Sequence, residues 1–234
     1  MQNVLLVAPD SPEHPPLQTA RALVAADYDI CPVLRDAPAS AWQGAFRGRL
    51  PDLLVADLSD GGDVLLIPQF AQTMAEVWGE AFPMPPVLAL VTRKHLAQGQ
   101  LRYFADDFIM PPYDPEETKT RVGALLFHQR HIEPGGTIQL AGLRLSASTA
   151  KAFGPGGKEL NLTPKEFDLL RFFATHRGRI FTREQLLTLV WGAEYEGGAR
   201  TVDIHVRRLR AKLPEETAAL LETRWGSGYG LKLG

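Results

Sequence analysis

Arg200-Thr201-Val202-Asp203-Ile204-His205-Val206-Arg207-Arg208-Leu209-Arg210-Ala211-Lys212-Leu213 is the stretch whose pattern decides how this chain folds. On a helical wheel Val202, Val206, Leu209 and Leu213 fall within about 60° of one another and form an apolar stripe suited to burial. Arg200, Ile204, Arg207, Arg208 and Ala211 lie opposite, with Arg210 and Lys212 on the flanks. A helix anchored on one side and carrying several guanidinium groups on the other suits a DNA major groove, where Arg can bond guanine O6 and N7 in a bidentate way. The competing reading is a solvated basic helix in which Asp203 and Arg207, at i,i+4, form an ordinary ion pair. The surroundings of the stretch favour the first.

Upstream, Thr163-Pro164-Lys165-Glu166 offers Thr as N-cap, Pro at the first helical position and Glu at the third, and Thr182-Arg183-Glu184-Gln185 repeats the capping box with Gln. Downstream, Thr223–Leu233 places Gly226, Gly228 and Gly230 among strand-forming residues, which predicts a hairpin. Before the capped helices, Ile138–Leu140, Leu143–Leu145, Lys151–Phe153 and Glu159–Leu162 are short strands split by turn residues, an antiparallel meander. Residues 138–234 thus read as an α+β winged helix-turn-helix. Residues 131–137, with Pro134-Gly135-Gly136, read as a linker.

The first 130 residues have another rhythm. Val4–Val7, Ile30–Leu34, Leu53–Ala56, Val87–Val91 and Phe108–Met110 read as strands; Leu17–Ala26, Ala39–Arg47, Val64–Gly79, Thr92–Tyr103 and Pro115–Gln129 read as helices. Five strands alternating with five helices predict a doubly wound α/β domain with a parallel sheet. Leu53-Leu54-Val55-Ala56 is apolar without alternation, as a strand covered on both faces should be. Charge divides along the same line: residues 1–130 carry 10 Lys and Arg against 16 Asp and Glu, residues 131–234 carry 15 against 11. An acidic half joined to a basic half suggests separate partners, the second polyanionic, although uneven surface charge alone would give the same count.

Composition narrows the class further. The 234 residues are 45% apolar and 22% charged, with a mean hydropathy of −0.11, the profile of a globular chain. No apolar run approaches the ~20 residues of a membrane span, and the start lacks the basic and long apolar regions of a signal peptide, so a cytoplasmic chain is expected. The single cysteine, Cys31, rules out an internal disulfide and multi-Cys zinc sites; on a predicted inner strand it reads as a core residue. The six His residues show no metal spacing, and no nucleophilic triad or phosphate-binding loop appears, so catalysis is not expected.

Leu160–Leu170, Phe181–Leu187, Val190-Trp191-Gly192, Arg200–Leu213 and Gly226-Ser227-Gly228-Tyr229-Gly230 together resemble the effector domain of OmpR/PhoB-type response regulators. The resemblance implies a helix in the major groove and a wing near the minor groove. By that resemblance Arg208 is the main base reader, Thr201, Asp203 and Ile204 approach base edges, and Arg183, Trp191, Arg200, Arg207 and Arg210 hold phosphates. Trp191 also suits a core role, and His205 a phosphate or packing contact. Many relatives place Arg directly before the Gly-x-Gly-Tyr turn; here Trp225 stands there, preceded by Arg224, which the resemblance makes the wing's DNA-binding residue although neighbouring strand residues face opposite ways.

The same resemblance makes the first half a receiver, flavodoxin-like (CheY-like) in fold, and implies a phosphate-accepting Asp served by Mg²⁺-binding carboxylates, a hydroxyl and a Lys. Pro51-Asp52-Leu53-Leu54-Val55-Ala56-Asp57-Leu58 puts Asp57 at the acceptor position. The paired acids after the first strand are replaced by Ala8-Pro9, with Asp10 next as a remnant that a one-residue slip would bring into the pocket. The hydroxyl position is Val91, with Thr92 one residue late, and Pro111 replaces the Lys. The receiver therefore reads as degenerate, without resident Mg²⁺ or another cofactor. Receivers of this family dimerise through the fourth helix, fifth strand and fifth helix, where Asp106, Asp107, Glu117 and Arg121 suit intermolecular pairs.

These expectations describe a transcriptional regulator that binds double-stranded DNA as a homodimer without aspartyl phosphorylation, RNA polymerase being its implied partner. The alternatives are a conventional regulator phosphorylated on Asp57 by a histidine kinase, and a protein-interaction adaptor that has lost DNA binding.

Overall fold

The computed structural model describes residues 2–10, 28–45, 50–80, 82–133, 135–192 and 194–233. The chain forms two compact units, Met1–Gln129 and Arg130–Gly234. The helix expected over Leu17–Ala26, and the end of the one expected over Ala39–Arg47, lie outside the described residues.

The first unit is built on β1 (Asn3–Ala8), β2 (Asp29–Leu34), β3 (Leu53–Asp57), β4 (Val87–Leu90) and β5 (Asp107–Ile109), all parallel in the order β2-β1-β3-β4-β5. This is the doubly wound flavodoxin-like order, whose reversal between β1 and β3 opens a crevice at the carboxyl ends of the strands. Every residue of β1 and β3 is buried, which explains their unbroken apolar runs. The sheet is flanked by α1 (Ala39–Ala45), α2 (Leu66–Trp78), α3 (Arg93–Gln98) and α4 (Pro115–Arg130). On α2 the spacing of Ile67, Phe70, Met74 and Trp78 buries one face. The predicted helix over Thr92–Tyr103 stops early: Gly99 takes the left-handed conformation (φ 67°), and a single 3₁₀ turn follows at Leu101–Tyr103. Cys31 lies on β2, an edge strand, and is half-buried. The inner-strand reading failed because β2 pairs only with β1 and closes that side of the sheet; Pro32 beside Cys31 suits an edge.

The second unit opens with an antiparallel sheet of β6 (Ile132–Glu133), β7 (Thr137–Leu140), β8 (Leu143–Ser146), β9 (Lys151–Phe153) and β10 (Glu159–Leu160). Residues 131–137 are therefore not a free linker. Gly135 and Gly136 take positive φ and turn the chain so that Ile132 pairs with Ile138, both buried; the glycines serve a hairpin. There follow α5 (Pro164–Thr175), β11 (Ile180–Phe181), α6 (Arg183–Leu186) running into a π turn (Leu187–Trp191), α7 (Arg200–Lys212), α8 (Glu215–Leu220), β12 (Leu221–Arg224) and β13 (Gly228–Leu231). Both capping boxes form: Thr163 with Glu166 and Thr182 with Gln185. The last strands make a three-stranded sheet, β11-β13-β12, so the fold is a winged helix-turn-helix. A Cβ at Gly228 would lie 2.0 Å from Phe181 O, and one at Gly230 2.2 Å from Arg179 O; glycine lets β13 approach β11. Among the described residues no helix is long and apolar enough to cross a membrane.

Candidate functional site

Helix α7 divides as its periodicity requires. Val202, Val206, Leu209 and the following Leu213 are buried, while Arg200, Ile204, Arg207, Arg208 and Ala211 are exposed and Thr201 is half-exposed. Arg207 and Arg208 have no hydrogen-bond or ion-pair partner among the described residues, so both guanidinium groups are available to a polyanion.

Other charges nearby are committed to internal bonds. Asp203 Oδ1 accepts from Tyr229 Oη at 2.6 Å and from Arg183 Nε at 2.7 Å, and the Arg183 guanidinium lies 4.9 Å from the centre of the Tyr229 ring. The ion pair considered between Asp203 and Arg207 does not form, because α6 brings the stronger partner. Partial burial opposes ionisation of Asp203. Tyr229 and Arg183 outweigh it by hydrogen bonding, and the charges of Arg183 and Arg200 add to them, so the carboxyl titrates below its usual range. Arg210, expected at a phosphate, donates to Leu221 O and Thr223 Oγ1, both at 2.7 Å, and straps α7 to β12.

Two further contacts frame the helix and were not legible beforehand. Lys212 Nζ donates to Glu166 Oε2 at 2.6 Å, joining the end of α7 to the buried capping carboxylate of α5. Lys165 Nζ donates to Val190 O at 2.8 Å, fixing the π turn. Trp191 is half-buried and meets His205 edge-on, ring centres 5.0 Å apart; His205 Nδ1 donates to Thr201 O at 2.8 Å. On the wing, Arg224 is exposed with only a 3.4 Å contact to Glu222, and Trp225 is exposed at the tip.

In the first unit, Asp57 ends β3 fully buried, and its Oδ1 accepts from Ser59 N (3.0 Å) and Ser59 Oγ (2.6 Å). Ala8, Pro9 and Val91 are buried, Asp10 and Pro111 exposed. Three residues that the sequence did not mark complete the pocket. Arg35 grips both oxygens of Asp60 and donates to Asp57 O at 2.9 Å. His95 accepts from Thr92 N at Nδ1 (3.0 Å) and so donates from Nε2 to Gly62 O (2.7 Å), fixing its tautomer and tying the loops after β3 and β4 together. Tyr113 lies within electrostatic reach of Ser59 and Asp57, without a hydrogen bond of ordinary geometry. Desolvation, partly offset by Ser59 and reinforced by the Asp57 charge, pushes its phenol up to about 12.

These residues do not fit Mg²⁺. The cation asks for several hard oxygens in octahedral array, whereas the carboxylate here has one oxygen already holding two donors and Ala8-Pro9 supply none. Among the described residues no cluster of three or more His, Cys, Asp or Glu could hold a metal.

The four candidate dimer residues are engaged within their own chain. Arg121 donates to Asp107 at 2.9 Å and to Glu117 at 2.8 Å, while Asp106 accepts from Val87 N at 2.7 Å and Gln129 Nε2 at 2.8 Å. Glu117 and Arg121 pair because they are one helical turn apart on α4, and Asp107 of β5 lies within reach of the same guanidinium.

The family profile described as "Transcriptional regulatory protein, C terminal" matches residues 157–231. The uncharacterized transcriptional regulatory protein YclJ of Bacillus subtilis (strain 168) is 33% identical over 176 residues, 71% of this chain and 76% of that protein. Transcriptional regulatory protein SrrA of Staphylococcus aureus is 39% identical over 135 residues, 53% of this chain and 56% of SrrA. Among solved structures, the DNA-binding domain of Bacillus subtilis CssR is 43% identical, covering 38% of this chain and 98% of that chain, with a TM-score of 0.35.

Proposed function

The chain belongs to the OmpR/PhoB family of transcriptional regulatory proteins, and from that premise we propose that it binds double-stranded DNA through α7 as a receiver-mediated homodimer, without need of aspartyl phosphorylation. The observation that carries the DNA reading is the pair Arg207 and Arg208, unpartnered among the described residues, on the exposed face of a helix whose other face is buried. In this reading Arg208 reads a base edge, Thr201 and Ile204 lie beside it, Arg200 and Arg207 hold phosphates, and Arg183, Arg210 and Asp203 set the frame. RNA polymerase is the partner through which such a regulator acts. The two functions divide between the two compact units, Met1–Gln129 for dimerisation and Arg130–Gly234 for DNA.

Phosphorylation independence is supported by the Asp57 surroundings. Aspartyl phosphorylation builds charge that needs a cation and donors placed to receive it, and Ala8-Pro9, Val91 and Pro111 supply none. A ligand shifts a two-state equilibrium only by its differential interaction with the two states. With Asp57 engaged by Ser59 and the adjoining loops tied by His95, little is left for a phosphoryl group to reorganise. Dimerisation through α3, β5 and α4 is supported by exposed Leu96, Tyr103, Met110 and Phe127 on or beside those elements, and by an open groove of about 440 Å³ lined in part by Leu96, Leu101 and Phe108.

The test is acetyl phosphate with Mg²⁺ on the full chain, with Asp57→Asn as control. Light scattering should show a dimer at micromolar concentration without phosphodonor, and duplex affinity should stay within about threefold in wild type and variant alike. A phosphodonor-dependent rise in affinity that vanishes in Asp57→Asn would restore the conventional, kinase-switched reading.

A further inference from the structure

Trp225 is 91% exposed, more than any other large apolar side chain described, whereas Trp42 and Trp78 are 1% and 7% exposed and Trp191 is half-buried. An indole brings a large apolar surface that folding ordinarily removes from water, and here the backbone forbids it. Trp225 and Gly226 are the central residues of a β-turn closed by Ser227 N donating to Arg224 O at 2.9 Å, with Gly226 at φ 73°. Below the turn, Gly228 is pressed against Phe181 O so closely that no Cβ would fit. The indole is therefore carried outward on an arm fixed at its base.

Its neighbourhood names the chemistry of the partner. Arg224 beside it is exposed, and the helix of the same unit presents Arg200, Arg207 and Arg208. A nucleic acid offers both parts of this surface a partner, anionic phosphates for the cations and an apolar sugar wall for the ring. We propose that Trp225 is the wing's minor-groove contact: the ring enters edge-on and packs against the deoxyribose walls, while Arg224 meets phosphate. The inference rests on the DNA-binding reading of α7. A flat ring suits a groove about 6 Å wide, and apolar side chains are a recurrent means of engaging it. The contact is uncharged, so unlike an Arg–phosphate contact it releases no counterion and its contribution is independent of salt.

The test uses the full chain and a fluorescein-labelled duplex selected from a random-sequence pool by the wild-type protein. Affinity is followed by anisotropy across a salt series for wild type, Trp225→Ala, Trp225→Arg and Arg208→Ala. Acrylamide quenching of tryptophan emission, with Trp225→Phe as the blank, reports whether bound duplex shields the ring. Trp225→Ala should bind about tenfold more weakly at every salt concentration with an unchanged slope of log affinity on log salt. Trp225→Arg should steepen that slope by about one ion, and duplex should protect Trp225 from acrylamide.

Unchanged affinity in Trp225→Ala, a loss that varies with salt, or a ring still quenchable in the complex would overturn the proposal; a quenchable ring would direct the search to a protein partner. If Arg208→Ala weakens binding while Trp225→Ala does not, only this proposal falls. If the wild-type chain selects no duplex, the DNA-binding reading falls with it.

Discussion

Asp203→Ala separates a positioning role from base reading. The carboxylate joins three elements through bonds of 2.6 Å to Tyr229 of β13 and 2.7 Å to Arg183 of α6. A hydrogen bond to a charged group contributes roughly 1.5–3 kcal/mol where sheltered. Arg183 and Asp203 are 31% and 34% exposed, so solvent screening brings their pair down to about 1 kcal/mol or less. Tyr229 is buried and keeps more of its bond's value, giving a total near 2 kcal/mol for Asp203→Ala. Arg183→Ala should lose about half of that, and the double variant should show coupling of about 0.5–1 kcal/mol. Because the folded carboxyl titrates below its ordinary value, this stability is present above the unfolded pKa of about 3.9 and lost as pH falls through the folded one; the difference between wild type and variant should therefore be flat from about pH 5 to 8. Hydrogen–deuterium exchange of the α7 and β13 amides in the full chain reads the stability, and anisotropy with single-base variants of a selected duplex reads recognition. Faster exchange should accompany uniformly weaker binding, with the preference at each base pair retained. Unchanged exchange together with an altered preference at one base pair would refute the positioning role and make Asp203 a reader.

Arg208→Ala should lower affinity for a selected duplex by about 1–3 kcal/mol and relax preference at one base pair, whereas Arg207→Ala should weaken all duplexes alike and reduce the salt slope by about one ion; full discrimination in Arg208→Ala would mean that another face enters the groove. The His176 ring, stacked on Phe172 at 4.4 Å, is held well below its usual pKa by desolvation and then by the charge of Arg130, against the hydrogen bond to Phe172 O. Its contribution is present above the unfolded pKa of about 6.5 and lost as pH falls below it, so exchange in α5 should quicken below about pH 6.5, and His176→Gln should flatten that dependence. Gly228→Ala should cost more than about 2 kcal/mol and quicken exchange in β11 and β13, because its Cβ would meet Phe181 O at 2.0 Å, while Gly226→Ala, with open space around it, should cost only about 1 kcal/mol for its positive φ; equal losses would show that the close approach contributes nothing.

What the sequence revealed is what the backbone makes periodic. Side-chain direction repeats along a helix and alternates along a strand, so the buried stripe of α7 and the two-faced burial of β1 and β3 were readable residue by residue. Capping boxes were readable too, since Thr163–Glu166 and Thr182–Gln185 close within one turn. The misreadings came where a residue type serves two purposes. Gly135-Gly136 fits a linker and a hairpin equally, and only the pairing of Ile132 with Ile138 decides between them. Cys31 in an apolar run fits a central strand or an edge, and sheet order is not local information.

The pairing of charges was the least legible feature, and it decides which residues are free to act. Four arginines on one helix look equivalent in sequence, yet β12 lies where Arg210 can reach Leu221 O and Thr223 Oγ1, and α6 consumes the charge of Asp203 through Arg183. Among the described residues Arg207 and Arg208 are left without such partners, so their availability follows from the position of the wing as much as from their own place on the wheel. The same holds at Asp57. The absence of paired acids and of a lysine around it was legible from Ala8-Pro9 and Pro111, but its engagement by Ser59, and the bond of His95 to Gly62 O thirty-three residues away, depend on how the loops after β3 and β4 meet. A buried carboxylate demands donors wherever it sits. With one oxygen of Asp57 already supplied by its own loop, the pocket holds its shape by internal hydrogen bonding, whereas on α7 the exposed Arg207 and Arg208 have no such partner among the described residues.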